Sequence, residues 1–402
     1  MNDKRKNILF FGFYVSSEVF SEIQKNDDFP SVQTYKFSES LILALDCNYD
    51  ISIISAVPVS DYPYSRYRYY PGSVAHSNLP INKTVRYIGF LNSTFFKLIT
   101  RFFSSLWAGV SSIVSRKPDY IFVYSVHLPF MIVGFFLSKI FRVKLVSVWT
   151  DPPAVSVDRD VFLKKKFRAI ENCVSRFFMR QFDGSVVLSK WLSEDFNPGK
   201  PYLVVESILK EIVYNAPLRK NRNYPVVIVY SGTLNIKYGI GEILKAADLL
   251  KYEFVEFHFY GRGDAEDVIQ AAVLNNKNIV HHGFLSNDVV VQKQREADFL
   301  INIRPCDLEY VKYSFPSKMT EYFSSGTPVI ANMLPGMPDE YRDFIIESAS
   351  NSPQDIATAV KNALNLNDDQ RRCLANKAQN FMNTKSVSSR SIQISQFLEG
   401  LR

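Results

Sequence analysis

The sequence predicts an α/β protein made of two doubly wound parallel-sheet domains in series, and three observations carry that prediction. The chain has 402 residues, beyond the size at which one hydrophobic core usually stops growing. Short apolar runs of strand length alternate throughout with longer stretches of helical spacing. That alternation breaks at residues 197–224, where Asn197-Pro198-Gly199, Asn215-Ala216-Pro217 and the polar run Arg219-Lys220-Asn221-Arg222-Asn223 intervene.

The first half carries strand-like runs at residues 8–13, 51–56, 85–88, 120–124, 144–148 and 184–188. The second half carries them at 226–230, 256–260, 279–281, 299–303, 328–331 and 344–347, with helical spacing between, as at 241–250 and 264–274. The expected division is a first domain over 1–200, a linker over 201–224, a second domain over 225–385, and a terminal helix over 386–402 whose apolar stripe can pack on either domain, a return to the first included. Two such sheets facing each other would form a cleft lined by the carboxyl ends of their strands, where loops and helix starts converge.

Charge and cysteine usage narrow the partners. The net charge is +7, and residues 1–200 hold 25 Lys and Arg against 17 Asp and Glu, a net +8 that leaves −1 for the rest. A basic first half suits an anionic surface or acceptor, and anionic lipid headgroups fit it. Nucleic acid is not expected, because no zinc finger, RNA-binding aromatic pair or recognition-helix pattern accompanies the charge. Cys47, Cys173, Cys306 and Cys373 are scattered, without a CxxC or a histidine at metal-ligand spacing. Neither a disulfide framework nor a metal site is indicated, and the natural compartment is the reducing cytoplasm.

The run from Ile8 to Phe13 reads as a first buried strand rather than a signal peptide. The greasiest run, 128–141, is too short to span a bilayer and carries Lys139, so no transmembrane segment is expected. Peripheral attachment remains open to the stretch 95–107, which mixes Phe and Trp with Lys97 and Arg101, and to the basic patch Lys164-Lys165-Lys166-Phe167-Arg168.

The chemistry concentrates in Phe315-Pro316-Ser317-Lys318-Met319-Thr320-Glu321, followed by Ser324-Ser325-Gly326-Thr327-Pro328-Val329-Ile330. A loop-to-helix junction at Ser317 and Lys318 presents free backbone N–H groups to an anion. Glu321, in the first or second turn, can accept hydrogen bonds from two vicinal hydroxyls, which is how a carboxylate grips a ribose. Gly232 opens a strand-to-helix turn where backbone can approach an anion, and Lys237 can reach a diphosphate. Arg262, in Tyr260-Gly261-Arg262-Gly263-Asp264, and Arg304 end two further strands at the same sheet edge and are candidate phosphate partners. In the first domain, His127 follows the strand 120–124, Asp151 ends the strand 144–148, and Gly12 sits in the first loop.

These segments resemble the GT-B glycosyltransferases of family 4, the retaining group that builds capsules, exopolysaccharides and lipid-linked glycans. The family's pair of glutamates, with seven residues between them, falls on Tyr313 and Glu321, so the second glutamate is present and the first is replaced by tyrosine. The resemblance assigns Glu321 to the donor ribose and implies that position 313 approaches the donor sugar. Its usual Gly-Arg-Leu followed by Lys-Gly reads here Gly232-Thr233-Leu234 and Tyr238-Gly239, with Lys237 one place earlier than the family lysine. Diphosphate neutralisation then falls to Lys237, Arg304 or Lys318.

The resemblance further implies a nucleotide-sugar donor (UDP-, GDP- or dTDP-linked) with no other cofactor. Gly12 would face donor phosphate and acceptor, His127 would face the sugar, and Asp151 would orient His127 or bind an acceptor hydroxyl. The expected function is retaining transfer of a sugar to a glycan or polyprenyl-linked acceptor in cell-surface polysaccharide synthesis, by a cytoplasmic enzyme touching the inner face of the membrane. The alternatives are a hydrolysing nucleotide-sugar epimerase and a non-catalytic subunit that stabilises a partner glycosyltransferase.

Overall fold

Continuous apolar runs sit at the middle of each sheet, where helices cover both faces. A computed structural model describes residues 5–77, 83–94, 96–153, 162–210 and 225–401. The chain divides into two units, Met1–Lys210 with Val387–Arg402, and Glu211–Ser386. The expected polar connection at 211–224, including Arg219-Lys220-Asn221-Arg222-Asn223, lies outside the described residues, as do Phe95 and the side chains of Lys164, Lys165 and Phe167.

The first unit contains β1 (Lys6–Gly12), β2 (Tyr49–Ser55), β3 (Tyr69–Tyr70), β4 (Ser73–Ser77), β5 (Lys83–Tyr87), β6 (Phe90–Leu91), β7 (Tyr120–Tyr124), β8 (Lys144–Trp149), β9 (Gly184–Val187) and β10 (Tyr202–Val204). Eight of them form one sheet in the order β10-β9-β8-β7-β1-β2-β5-β4. Its helices are α1 (Ser17–Asn26), α2 (Val32–Asp46), α3 (Phe96–Arg116), α4 (Leu128–Phe141), α5 (Phe162–Met179) and α6 (Lys190–Phe196). The central strand β1 pairs in parallel with β2 and β7, and Phe10 and Phe122 meet in register at full burial.

This sheet is not wholly parallel, as the sequence had led us to expect. Strand β4 runs antiparallel to β5, and β3 with β6 forms a separate antiparallel pair. Strand β4 lies at the sheet edge, with Val74 exposed, so it needs no continuous apolar run and gives no strand signal of the kind read from the centre. At the other edge Tyr202–Val204, within the stretch expected to be connection, pairs with β9 as β10.

The second unit contains β11 (Val226–Ser231), β12 (Val255–Tyr260), β13 (Ile279–Gly283), β14 (Phe299–Asn302), β15 (Val329–Ala331) and β16 (Ile345–Glu347). All are parallel, in the order β13-β12-β11-β14-β15-β16. Counted within the unit this is 3-2-1-4-5-6, the doubly wound order whose switch point lies between its first and fourth strands. The helices are α7 (Ile240–Leu249), α8 (Glu266–Asn275), α9 (Asn287–Glu296), α10 (Ser317–Ser325), α11 (Pro353–Leu364) and α12 (Asp368–Asn383). Helix α12 opens with a capping box in which Asn367 and Gln370 satisfy each other's backbone N–H groups.

After α12 the chain returns to the first unit as α13 (Val387–Gly400). The Asn48 amide donates to the hydroxyls of Ser391 and Ser395, and the Tyr120 hydroxyl donates to the Leu398 carbonyl. Arg390, only 2% exposed, donates through Nη2 to Glu206 at 2.7 Å and through Nε to the Ser207 carbonyl at 3.0 Å. Removing one partner of a buried ion pair costs more than removing both. Arg390→Met should therefore destabilise the first unit by about 3–5 kcal/mol, and adding Glu206→Leu should restore much of that loss; chemical denaturation of both variants checks the ordering.

Candidate active site

Three loops of the second unit cross at the carboxyl end of β11 so closely that side chains are excluded. Gly232 follows β11 with φ +144° and Gly261 follows β12 with φ +140°, and a Cβ at 261 would lie 1.8 Å from the Gly232 carbonyl oxygen. A Cβ at 263 would lie 2.0 Å from the Leu234 carbonyl, whose oxygen accepts from the Ala265 N–H. Gly239, with φ +80°, brings the next turn against the Ile303 carbonyl at the end of β14. Only glycine permits these approaches.

Helix α10 is fastened onto this platform by Tyr322. Its buried hydroxyl accepts from the Ser231 N–H at 2.8 Å and donates to the Ser231 carbonyl at 3.1 Å. Burial drives this phenol's pKa upward, so it stays protonated and able to donate. Gln294 donates from its side-chain amide to the Ser231 hydroxyl, while its backbone carbonyl accepts from the Thr327 hydroxyl in the Gly-Thr-Pro turn. Tyr322, Gln294 and Asn332 are positioning residues that the sequence reading missed.

The result gathers four of the expected residues. The Lys318 stem runs along Gly232, its Cε 3.3 Å from where a Cβ would stand. Its ammonium lies 2.7 Å from Glu321 Oε2, so the lysine expected to meet an anion and the carboxylate expected to grip a ribose are each other's partner, both partly exposed. Arg304 is held at its backbone by Asn332, which accepts from the Arg304 N–H at 3.0 Å and donates to its carbonyl at 2.7 Å. The Arg304 guanidinium lies 4.4 Å over the Tyr238 ring, and its buried Nε has no partner among the described residues. A desolvated donor aimed nowhere is unusual in a native fold and fits an anion.

The remaining expected residues are less engaged. Ser317 is exposed at the first position of α10, and Lys237 is exposed with its ammonium 5.4 Å from the Tyr238 ring. Arg262 lies over the Phe284 ring at 4.5 Å, and its backbone carbonyl closes the turn by accepting from Leu234. Tyr313, at the place of the missing glutamate, is 7% exposed, with the Lys312 ammonium 4.8 Å over its ring.

In the first unit, Gly12 does not face an open loop. It is buried, a Cβ there would lie 2.5 Å from the Phe10 ring, and its carbonyl accepts from the Ala56 N–H. His127 caps no backbone N–H with its side chain; the ring stands edge-on to Phe13 and Phe130, at 5.1 and 4.7 Å. Its Nε2 is buried without a partner among the described residues. Burial first, then Arg101 and Lys97, hold its pKa well below the ordinary value, so the imidazole is neutral at physiological pH. Asp151 is exposed and accepts from the Thr150 hydroxyl at 2.8 Å, so the carboxylate does not orient His127 here.

Comparison with known proteins agrees with this architecture. Several solved structures share the fold over nearly the whole length of both chains. They include sucrose-phosphate synthase from Thermosynechococcus elongatus (14% identity, 99% of each chain, TM-score 0.61). Another is α,α-trehalose 6-phosphate synthase from Burkholderia multivorans (10% identity, 99% of this chain and 97% of that one, TM-score 0.65). A third is the Anabaena protein HepE in complex with UDP (14% identity, 98% and 100%, TM-score 0.56). The chain therefore has the GT-B fold of glycosyltransferases. Residues 225–366, which contain the platform and α10, match the family model described as glycosyl transferases group 1. No curated protein matches the sequence.

The glycine platform makes an ordered prediction. Gly261→Ala drives a Cβ into backbone, whereas Gly232→Ala meets only the flexible Lys318 stem. Both incur positive-φ strain of about 1–3 kcal/mol, but Gly261→Ala should lower the melting temperature of the protein several degrees further than Gly232→Ala.

Proposed function

We propose that the protein transfers a sugar, with retention, from a nucleoside diphosphate donor held by the second unit to a hydroxyl of a glycan or lipid-linked glycan acceptor held by the first. The observation that carries this reading is the convergence of Gly232, Lys318, Glu321 and the unsatisfied Arg304 on one sheet edge. Donor binding exchanges partners: the ribose hydroxyls take Glu321 and the diphosphate takes Lys318. Both charges are already desolvated in part and already placed, so little reorganisation is needed.

Negative charge grows on the leaving diphosphate as the sugar becomes oxocarbenium-like, and fixed cations stabilise that state more than the ground state. Lys318 and Arg304, with Lys237 at the rim, supply them. The leaving phosphate takes the acceptor proton on the face it departs from. His127, neutral and with Nε2 unpartnered among the described residues, is suited to hydrogen-bond a substrate oxygen, and Asp151 an acceptor hydroxyl. Sugar, base and linkage are not specified by these residues, since Glu321 reads a ribose common to all ribonucleotide donors.

Thermal-shift screening against UDP, GDP, dTDP and their sugars tests the donor assignment. One nucleotide class should stabilise the protein; silence across all of them would favour a non-catalytic subunit. Glu321→Ala and His127→Ala should each lower transfer by about ten- to a hundredfold, and unchanged turnover in both would remove these roles.

The first unit carries a surface suited to a membrane. On α3, Phe96, Ile99, Phe103, Trp107, Val110 and Val114 recur at helical spacing and are all exposed, Trp107 by 80%. The neighbouring α4 adds exposed Phe136 and Ile140. Exposed Arg116, Lys117, Lys139, Arg142 and Lys144 gather at the carboxyl ends of α3 and α4 and at the start of β8. Helix α3 is long and apolar enough to cross a bilayer by length alone, but Lys97, Arg101 and Ser105 on its buried face tie it to the unit. In this reading the helix lies flat on the cytoplasmic face, apolar stripe inward and cations on anionic headgroups.

Vesicles containing anionic phospholipid with brominated acyl chains should quench Trp107 fluorescence. Trp107→Phe should abolish the quenching without abolishing binding, and Phe103→Ser with Trp107→Ser should weaken binding by about tenfold or more. Equal partitioning of wild type and double variant would exclude this face.

A further inference from the structure

Helix α3 is inverted relative to an ordinary surface helix, because its cations point inward. Lys97 and Arg101, one turn apart, are 8% and 5% exposed. Lys97 is fully answered: its ammonium donates to the Val59 carbonyl and to Asp61, each at 2.7 Å. Arg101 is not. Its single hydrogen bond among the described residues runs from Nη2 to the Val57 carbonyl at 2.9 Å, and it forms no ion pair there. Phe90 covers one face of the guanidinium at 4.1 Å and Phe13 lies at 5.5 Å, while Nε is buried with no partner. Loss of hydration without replacement pushes its pKa down to about 9.

The second unsatisfied atom is close by. Phe13, which flanks Arg101, also packs edge-on against His127, whose Nε2 is buried and unpartnered. The segments that carry these groups, Phe13, Val57 to Asp61 and His127, follow β1, β2 and β7 at the carboxyl edge of the first sheet. That edge is where open α/β sheets take ligands. A buried planar fork with unused N–H groups, joined through one aromatic ring to an unused imidazole nitrogen, matches the oxygens of a phosphate or carboxylate.

We propose that Arg101 and His127, framed by Phe13, bind an anionic group, phosphate or carboxylate, carried by the acceptor. The assignment to the acceptor rests on the glycosyl-transfer reading; the anion site itself does not. Arg101 supplies the charge and the directed bonds, His127 donates from Nε2, and Lys97 holds the loop after β2 in place through Val59 and Asp61. An acceptor of this kind is an acidic glycan, or a glycan joined to its lipid through phosphate.

The full-length protein, labelled with ¹⁵N in its five histidines, supplies the test. Inorganic phosphate and glucuronate are titrated separately, with and without saturating UDP, and His127→Gln identifies the His127 imidazole signal. Saturable movement of that signal with phosphate points to a phosphate-linked acceptor, and with glucuronate to an acidic sugar. Arg101→Gln should weaken the response at least about tenfold, the worth of a charge-assisted bond. Arg101→Lys, which keeps the charge but loses the fork, should weaken it several-fold, and it carries the test if Arg101→Gln does not fold.

The proposal is overturned if neither anion moves the His127 signal, if both Arg101 variants respond like wild type, or if UDP competes with phosphate for the same response. Failure of UDP to bind would count against the donor reading alone, because the titration without nucleotide still reports on Arg101.

Discussion

The second unit is organised by the exclusion of side chains where the loops after β11 and β12 cross. With Gly261 pressed on the Gly232 carbonyl and Gly263 on that of Leu234, two loops that would otherwise move independently share one backbone surface. Gly239 extends the contact to the end of β14. Everything with chemical potential in the unit is hung on that surface: Lys318 lies along Gly232, Tyr322 locks α10 to Ser231, and Arg304 rests on Tyr238. Preorganisation of this kind is what electrostatic catalysis requires, because cations that must move into place lose their advantage over water.

Helix α3 imposes a comparable constraint on the first unit, by a different device. An amphipathic surface helix normally buries its apolar face. Here the buried face holds Lys97, Arg101 and Ser105 beside Ala108, Gly109 and Ile113, and the outer face is aromatic and aliphatic. Burying two cations is unfavourable unless they are answered. Lys97 is answered by Asp61 and a carbonyl, and Arg101 only in part, by one carbonyl and two rings. The same helix thus places an incompletely satisfied guanidinium below the carboxyl edge of the sheet and a continuous apolar stripe on the surface, the two features on which the proposed charged, lipid-anchored acceptor rests.

Much of this was legible in the sequence, for reasons that also explain what was not. Central strands such as β7, five residues all buried, write their burial as an unbroken apolar run, and the Ser317-to-Ile330 segment declares a loop-helix-strand junction through its Gly-Thr-Pro turn. Edge strands β4 and β10 carry no such run, because one neighbour and one covered face suffice. Gly12 shows the limit of reading glycine as a sign of a ligand: its missing side chain makes room for the Phe10 ring and Tyr124. The pairing of Lys318 with Glu321, three residues apart on one helix face, was available from spacing alone. The roles of Tyr322 and Asn332 were not, since they depend on which strand ends meet.

The departures from the family pattern can be understood together. In the proposed reading, replacing the first glutamate by Tyr313 removes a negative charge from the sugar side, and the tyrosine is buried beneath the Lys312 ammonium rather than offered to a ligand. Replacing the family arginine and lysine by Thr233 and Tyr238 removes cations from the diphosphate side. One negative charge is lost against two positive ones, and Lys237, one place earlier than the family lysine, restores the balance. Tyr238 also does more than delete a lysine, because its ring lies under Arg304 at 4.4 Å, an arrangement whose attraction is about 0.5–2 kcal/mol. The aromatic ring holds in place the guanidinium that replaces the missing cation, and Asn332 fixes its backbone from both sides. In the proposed reading, a site assembled this way would keep its affinity for diphosphate while giving up the carboxylate that would have touched the sugar, shifting the choice of sugar onto residues outside the glutamate pair.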